Sequence, residues 1–507
     1  YKVRYLANIK AKKSSSGAPM FTDMPQGDVL SKQTLSNAAY TLRGQLNANY
    51  YSKDKKHNLS GIIGVEQRRT LAESFKTTFF GYDGQSLISK PVNLGALNTT
   101  TPPAFSELGN YDGTRFKSTD YFSETSKDRR FRSYYGQGTY VYDRRYVATG
   151  SLRIDQSNLF GVDPKYKNTP LWSAGLSWIL NEEEFMKRLT WISTLQLRGA
   201  TGFNGNVPGS FNGPFLVLNS GLNTMFNTSQ VSYDVLSPEN QSIRWETTST
   251  YNLGLDYGVL NGRISGTVDY YYKKTKDVFG SMSSDPTLGF NQYNANTASI
   301  ENKGLELMIN SQNFSSAGFK WRTGFTASFN QNKVLAVQTK DKTSSYDIVE
   351  GTDLQKGYPM NALFSYRYAG LNDKGQPGVY DRNGNIKVLN TYGDAIVDVD
   401  FEDLKFSGTT TPKYAIGLNN QFSVGAFDFS FLFMYYGGHV MRVQQAEPDE
   451  SRFISPLSGA SNYWKQKGDE LLTDVPGLAK YGTPGYYTFA ARNGFTYGDR
   501  FVRKADY

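Results

Sequence analysis

The sequence predicts an all-β protein whose long antiparallel strands form a transmembrane β-barrel. Three observations support this fold class. Apolar and polar residues alternate with period two over about ten residues at a time. Aromatic residues make up 15% of the chain, although its mean hydropathy is only −0.53, which excludes a bundle of apolar transmembrane helices. Finally, short connections between the predicted strands alternate with long ones, as they do in outer-membrane barrels.

The clearest hairpin surrounds Asn261-Gly262, a dipeptide typical of a two-residue turn because both positions require positive φ. Before the turn, the apolar positions are Tyr251, Leu253, Leu255, Tyr257 and Val259. After it, one face carries Ile264, Gly266, Val268, Tyr270 and Tyr272, and the other carries Arg263, Ser265, Thr267, Asp269 and Tyr271. We expect the first face to meet lipid and the second to face the interior of the barrel.

A second hairpin turns at Val424-Gly425-Ala426. Its first strand alternates at Tyr414, Ile416, Leu418, Asn420 and Phe422, and its return strand at Phe427, Phe429, Phe431, Phe433 and Tyr435. The same pattern predicts about 15 strands of about ten residues each. Their spans are 1–10, 37–51, 57–66, 133–142, 146–155, 171–179, 191–201, 245–259, 263–275, 302–312, 319–331, 361–371, 386–400, 413–423 and 427–437. The strand at 386–400 is included because the alternation of ends requires an even number of strands between 319–331 and 413–423.

The connections support the same topology. The short ones are 52–56, 143–145, 260–262, 313–318 and 424–426, and the long ones are 67–132, 202–244, 276–301 and 332–360. The segment 180–190 belongs with the short ones, as one helical turn that Asn181 caps. Glu182, Glu183 and Glu184 would lie at the N-terminus of this turn, with Phe185 and Leu189 on one face.

Tyrosines gather near the predicted strand ends, where barrels place their aromatic girdles. They are Tyr50, Tyr51, Tyr134, Tyr135, Tyr142, Tyr146, Tyr270, Tyr271, Tyr272, Tyr435 and Tyr436. The alternative is an aromatic-rich soluble β-sandwich or solenoid. The sequence has no fixed-period repeat of the kind that a solenoid requires.

Catalytic and metal-binding signatures are weak. The chain has no cysteine and two histidines, His57 and His439, and it contains no nucleophile elbow, phosphate loop or paired-histidine motif. His439, beside Gly437-Gly438, is the one candidate for a catalytic residue at a barrel rim, and a structural role is favoured. We therefore predict that the protein is not an enzyme, with no catalytic residues, metal site or cofactor.

The segment Asp381–Asn385 superficially resembles a calcium loop. An EF-hand requires glycine at position six and glutamate at position twelve, and these positions hold Ile386 and Tyr392. A tight turn at Asn383-Gly384 is the better interpretation. Whether the loop 381–386 binds an ion stays open.

The net charge of +9, with a pI near 9.1, comes from lysines and arginines spread along the chain. The favoured interpretation is solvated charge in loops, and the alternative is basic loops that meet an anionic membrane surface. No nucleic-acid partner is expected. The chain begins at Tyr1, within an alternating pattern, and is expected to be a fragment.

Four segments resemble the SusC/RagA-type TonB-dependent outer-membrane transporters of Bacteroidota. They are Ser237–Asn240 followed by Ile243–Thr248, Ala298–Glu306 with its Asn-Lys-Gly-Leu-Glu strand opening, Leu195–Gly199 leading to Thr201–Asn206, and Thr411–Tyr414 running to Phe431–Gly438. Their order and their spread over most of the chain make the resemblance specific. One departure is the loop 381–386, which is less acidic than the corresponding family loop.

The resemblance implies a 22-stranded barrel around an N-terminal plug, in the cell outer membrane with its lipid and lipopolysaccharide. It also implies import of bulky nutrients (glycan oligomers or peptides), energised by the TonB–ExbB–ExbD system and assisted by a SusD-like surface lipoprotein. Residues 1–507 would be a partial barrel domain, without the plug, the first strands and the last strands.

The alternatives are a TonB-dependent siderophore or vitamin receptor without a lipoprotein lid, a passive porin, and an outer-membrane enzyme. Tyr463 and Trp464 are exposed-loop candidates for stacking on sugar rings or touching a lid, although packing within the loop is favoured for each. The sequence assigns no substrate-binding residue.

Overall fold

The computed structural model describes residues 2–3, 28–91, 122–159, 168–206, 215–222, 231–283, 287, 292–338, 344–389, 391–392, 395–396, 399–443, 462–477 and 489–507. The chain divides into two compact units. The first comprises residues 1–44 and 66–132, and the second comprises residues 45–65 and 133–507.

Strands dominate both units. In chain order they are β1 (Lys2–Val3), β2 (Asp28–Tyr51), β3 (His57–Tyr82), β4 (Phe122–Tyr142), β5 (Tyr146–Ser157), β6 (Pro170–Ile179), β7 (Ile192–Asn206), β8 (Val217–Leu222), β9 (Val231–Ser237), β10 (Glu246–Val259), β11 (Ile264–Ser283), β12 (Gln292–Ser315), β13 (Phe319–Val337), β14 (Ala362–Ser365), β15 (Arg367–Leu371), β16 (Pro377–Tyr380), β17 (Ile386–Lys387), β18 (Thr391–Tyr392), β19 (Ala395–Ile396), β20 (Lys405–Thr409), β21 (Tyr414–Val424), β22 (Phe427–Gly437), β23 (Val440–Arg442) and β24 (Val502–Lys504). The α-helices are α1 (Ser345–Glu350) and α2 (Phe489–Thr496). In the described part of the chain, no helix is long and apolar enough to cross a membrane.

A single antiparallel sheet contains the long strands, which confirms the all-β antiparallel fold class. In the first unit β1 pairs with β2, and this unit also contains parts of β3 and β4. In the second unit the sheet order runs through β5, β6, β7, β10, β11, β12, β13, β21 and β22, each antiparallel to the next. Several strands greatly exceed the predicted ten residues, since β2 has 24, β3 has 26 and β12 has 24. They therefore continue well into the predicted long connections.

The hairpin between β10 and β11 has the predicted turn and the predicted faces. Asn261 and Gly262 both have positive φ, at 56° and 78°. Leu255 lies opposite Val268 and Asp256 lies opposite Thr267, so the apolar residues share one side of the sheet and the polar residues share the other. The side chains of that apolar side are open to the surroundings, as in Leu253, which is 57% exposed.

Two predicted strands do not belong to the large sheet. The spans 361–371 and 386–400 were expected between 319–331 and 413–423, but β13 pairs directly with β21, with Phe325 opposite Leu418. The number of large-sheet strands between β13 and β21 is still even, as the alternation of ends requires, because it is zero. Among the described residues the large sheet therefore has 13 strands, of which β1 contributes only two residues.

Residues 344–409, called the insert below, form small sheets of their own. In these sheets β14 pairs with β20, β16 lies between β15 and β17, and β18 pairs with β19. The strands leave the large sheet because their side chains build a separate core, which contains Ile348, Val349, Phe364, Tyr366, Val379, Leu389, Val399 and Leu404. Tyr366 and Leu389 are completely buried, which a strand with one lipid face and one polar face would not allow.

The expected Asn181 cap is wrong, and the predicted strand 1–10 falls largely outside the described residues. Asn181 is not a helix cap, since the 3₁₀ turn Leu180–Glu182 follows Ile179 at its N-cap position and the Asn181 Oδ1 accepts the backbone N–H of Leu195 at 3.0 Å. Of the predicted strand 1–10, only Lys2–Val3 is described. The long connection 202–244 contains the β8–β9 hairpin.

Aromatic rings stack in rows near both ends of the strands in the second unit, as the girdle prediction requires. Near the short turns, the ring of Tyr146 lies 6.4 Å from Tyr142 and 6.3 Å from Trp178. Near the long connections, the ring of Tyr414 lies 6.4 Å from Phe329 and 6.0 Å from Tyr435. Rows of this kind match the two headgroup levels of a barrel in a membrane.

Candidate functional site

The polar face of the large sheet carries an ion cluster in its middle. The guanidinium of Arg198 donates to both carboxylate oxygens of Asp256, at 2.7 and 2.8 Å, and to Asp269 at 3.2 Å. Gly254 makes room for the cluster, since a Cβ there would lie 2.5 Å from the Asp269 carboxylate. Charged groups linked in this way stabilise one arrangement of three neighbouring strands, because each charge retains a partner away from bulk water.

At the long-connection end of this face, the insert is built around helix α1. Ser344 caps the helix by accepting the Tyr346 N–H, and Gly351 ends it with φ 82°. Beneath it, burial raises the pKa of the Tyr366 hydroxyl far above its ordinary value, so this phenol stays neutral. The insert is therefore a packed body with its own buried core.

Arg442, on β23, ties the insert to the C-terminal segment. Its guanidinium donates to the Val349 carbonyl at 3.2 Å and to the Phe364 carbonyl at 2.7 Å. It also lies 4.8 Å from the centre of the Tyr497 ring. Desolvation lowers the pKa of Arg442. Two backbone carbonyls and an aromatic ring thus surround one half-buried charge.

A cleft of about 800 Å³ lies where the insert meets the ends of β10–β13. Most of its polar side chains are carboxamides and hydroxyls, with two lysines and one glutamate. The lining residues are Glu246, Thr275, Val278, Ile300, Asn302, Asn330, Gln331, Asn332, Lys333, Gly357, Tyr358, Pro359, Met360, Asn361, Phe406, Thr409, Thr411, Pro412 and Lys413. This size and this mixture of apolar walls with a few polar groups are typical of ligand sites.

Asparagines connect the strands of the cleft to the insert. Asn332 accepts the backbone N–H of Met360 at 2.6 Å and donates to the Asn302 carboxamide oxygen at 2.8 Å. The hydroxyl of Tyr271 donates to Asn330 at 3.1 Å. In the insert, Asn361 donates to Thr411 at 2.8 Å. The cleft walls are therefore held by hydrogen bonds and are formed before any ligand arrives.

The histidine considered for catalysis is not among the residues that line this cleft. His439 is 7% exposed, and its ring lies 5.8 Å from that of Tyr507. Its Nδ1 has no hydrogen-bond partner among the described residues, and that position gives it no carboxylate to orient it as a base. The favoured structural role fits this packing.

The loop 381–386 forms the predicted tight turn. Gly384 has φ 83°, and one carboxylate oxygen of Asp381 accepts the backbone N–H groups of Asn383 and Asn385. The Asn385 carboxamide, together with those N–H groups, lowers the pKa of Asp381. The carboxylate is thus occupied by its own turn. Within the described ranges, no group of three or more metal-binding side chains comes together.

The two loop aromatics considered from the sequence, Tyr463 and Trp464, have different surroundings in the structure. Trp464 is 4% exposed, packs over Gly375 and donates its indole N–H to Glu470 at 3.0 Å. The favoured packing role is therefore confirmed for Trp464. Tyr463 is half-buried, with the Lys465 ammonium 5.3 Å from its ring centre.

Sequence reasoning missed the asparagines of the cleft. Asn302, Asn330 and Asn332 appear in the sequence as ordinary polar positions of alternating strands. A signal was present, because an asparagine in a strand interior has poor β propensity, and three of them within two neighbouring strands is unusual. Their role depends on the insert, of which the spans 361–371 and 386–400 were predicted as strands of the large sheet.

Comparison with known proteins gives a consistent result. The family model described as "TonB dependent receptor-like, beta-barrel" matches residues 13–497. TonB-dependent receptor P26 of Formosa agariphila is 27% identical over 434 residues, which cover 83% of this chain and 41% of that protein. TonB-dependent receptor SusC of Bacteroides thetaiotaomicron is 26% identical over 453 residues, which cover 85% and 42%. The chain thus spans about two fifths of the length of the curated relatives it matches.

Solved structures show the same fold. The RagAB peptide transporter aligns with a TM-score of 0.66 at 17% identity, covering 94% of this chain and 48% of that one. The RagAB peptide importer in its 'open-open' state aligns with a TM-score of 0.66 at 18% identity, covering 95% and 49%. Because the family model matches nearly all of the sequence, the chain belongs to the TonB-dependent receptor-like β-barrel family of outer-membrane proteins, and it is of the SusC/RagA type.

Proposed function

We propose that this chain is the barrel portion of an outer-membrane importer that takes up bulky nutrients, either glycan oligomers or peptides. Energy would come from the TonB–ExbB–ExbD system. Family membership supports this role, because the matched relatives are TonB-dependent receptors. One structural neighbour is named as a peptide transporter.

The observation that carries the proposal is the hydrogen-bonded attachment of the insert to the polar face. Met360 of the insert and Asn332 of β13 join the two at 2.6 Å. A ligand entering from the long-connection end therefore meets a formed cleft before it reaches the ion cluster around Arg198. Pre-formed contacts of this kind capture a scarce ligand with little ordering cost.

The partners and the whole-protein architecture follow from the same proposal. A SusD-like surface lipoprotein would cover the long-connection end, and lipid and lipopolysaccharide would surround the apolar face. Residues 1–507 would form part of a 22-stranded barrel whose remaining strands and plug lie elsewhere in a longer protein. In this proposal the protein moves its ligand without chemical change and is not an enzyme.

Growth experiments test the energised import. In the native host, we expect the intact gene to support growth on its nutrient only when TonB is present. Loss of the adjacent lipoprotein should reduce that growth. Growth that continues undiminished without TonB would instead indicate a passive porin. TonB-dependent growth that never requires a lipoprotein would indicate a siderophore or vitamin receptor.

A further inference from the structure

We infer that the cleft between the insert and β10–β13 selects ligands that carry carboxylate groups. The inference rests on the proposed import function, because it identifies the chemistry of the cargo at the same site. It depends on which hydrogen-bonding groups of the cleft are already occupied and which remain open to a ligand. Two NH₂ groups remain open, and the positive charges on the cleft face outnumber the negative one.

The direction of the asparagine hydrogen bonds is fixed by a backbone group. The N–H of Met360 can only donate, so the Asn332 atom that it contacts at 2.6 Å is the carboxamide oxygen. The other end of Asn332 is then the NH₂ group, which donates to the Asn302 oxygen at 2.8 Å. Consequently the NH₂ group of Asn302 is left to face the cleft, and its oxygen is occupied.

The Asn330 and Glu246 oxygens also have partners, whereas Asn361 donates to Thr411 and keeps its oxygen open. The Asn330 oxygen accepts the Tyr271 hydroxyl at 3.1 Å, which leaves the Asn330 NH₂ group open. The carboxylate of Glu246, the only acidic residue of the lining, accepts the Phe279 backbone N–H at 2.9 Å and the Asn206 carboxamide at 2.8 Å. Each Glu246 oxygen therefore has one hydrogen-bond partner.

Two lysines add positively charged donors. Lys413 lines the cleft and is exposed, whereas Lys333 is opposite Glu301 in the β12–β13 register and points to the other face of the sheet. Lys273 lies directly opposite Asn302 in the β11–β12 register, with its ammonium 4.8 Å from the centre of the Tyr271 ring. Within the described part of the chain, none of these lysines forms an ion pair. On the cleft face, Lys413 and Lys273 together exceed Glu246 by one positive charge.

A carboxylate fits this pattern better than a neutral hydroxyl does. Two carboxylate oxygens offer about four lone-pair sites and require no acceptor. A carboxylate also gains from the positive charges of Lys413 and Lys273, whereas a neutral hydroxyl does not. Glu306, the next acid along the same face of β12, lies four residues beyond Asn302 and outside the lining. The cleft therefore favours acidic oligomers, whether their carboxylates come from uronic-acid sugars or from acidic peptides.

Calorimetric titration of the purified full-length protein in detergent tests the inference without TonB or transport. The probes are an oligogalacturonate, an oligoglutamate peptide and a neutral galactan oligosaccharide of equal length. We expect one of the acidic probes to bind at least about tenfold more tightly than the neutral one, a preference that weakens with salt. The acidic probe that binds more tightly identifies the source of the carboxylates.

Matched variants locate the binding. Lys273→Gln combined with Lys413→Gln should weaken binding of the acidic probe about tenfold. Lys320→Gln, an exposed lysine at the other end of β13, should leave it unchanged. The inference is overturned if neither acidic probe binds, if the neutral probe binds as tightly, or if the cleft variants behave like Lys320→Gln. Each of these results leaves TonB-dependent growth as a separate question, so the import proposal can survive them.

Discussion

The side chain of Asn332 donates to that of Asn302 at 2.8 Å while it accepts the backbone N–H of Met360 at 2.6 Å. One carboxamide therefore joins two neighbouring strands of the large sheet and fastens the insert to them. Its two ends have opposite hydrogen-bonding character, so each contact requires a particular orientation. The attachment of the insert is thus coupled to the surface that the cleft presents.

Replacing Asn332 should loosen the insert at this contact. In Asn332→Leu, the Met360 N–H loses its acceptor at a cost of about 1 kcal/mol, so its hydrogen exchange should accelerate about fivefold. Asn332→Asp keeps that acceptor and should retain most of the protection. Asn310→Leu, on the same face near the short turns, is the control. Unchanged exchange at Met360 in Asn332→Leu would show that other contacts hold the insert.

Arginine at Val268 tests which face meets lipid. Val268 lies opposite Leu255 and Leu307, so Val268→Arg places a charge among apolar side chains, at a cost of roughly 2–4 kcal/mol near the bilayer midplane. Thr267→Arg and Ser265→Arg point to the polar face, where charge is tolerated. In the full-length protein, we expect the folding yield in lipid vesicles to fall strongly only for Val268→Arg. Equal yields for the three variants would contradict the assignment of faces.

Removing the arginine of the ion cluster should leave two carboxylates facing each other. Arg198→Met removes the shared partner of Asp256 and Asp269, and we expect a loss of about 1 kcal/mol in stability because the group is only partly shielded from water. Adding Asp269→Asn to Arg198→Met should recover part of that loss, since it removes one of the repelling charges. Thermal melting of the full-length protein in detergent measures both effects. If the double variant melts below Arg198→Met, repulsion is not the cause.

Arg442 should prove important for the stability of the insert. Arg442→Met leaves the carbonyls of Val349 and Phe364 without their donor, which costs about 1–3 kcal/mol. Arg442→Lys cannot reproduce the planar fork and should rescue only part of the loss. Limited proteolysis of residues 344–409 should therefore be faster in both variants, with Lys374→Met as a surface control. A protease pattern equal to that of the control would show that packing alone holds the insert.

The faces of the strands were determined by the sequence itself. Alternation is a local property, and the Asn261-Gly262 turn fixes the register of the strands beside it. Val268 and Thr267 could therefore be assigned to opposite sides without knowledge of any distant contact. The structure confirms that assignment through the pairing of Val268 with Leu255 and of Thr267 with Asp256.

The partners of the strands, by contrast, were decided only by the tertiary structure. The spans 361–371 and 386–400 have the composition of strands, and nothing local distinguishes a strand of the large sheet from one of the insert. Phe364 joins the insert because it packs with Val379 and Leu389, residues distant in sequence whose combined burial stabilises a separate core. The asparagine cleft depends on that choice, because Asn332 meets Met360 only when β13 pairs with β21 and the intervening residues fold onto the sheet.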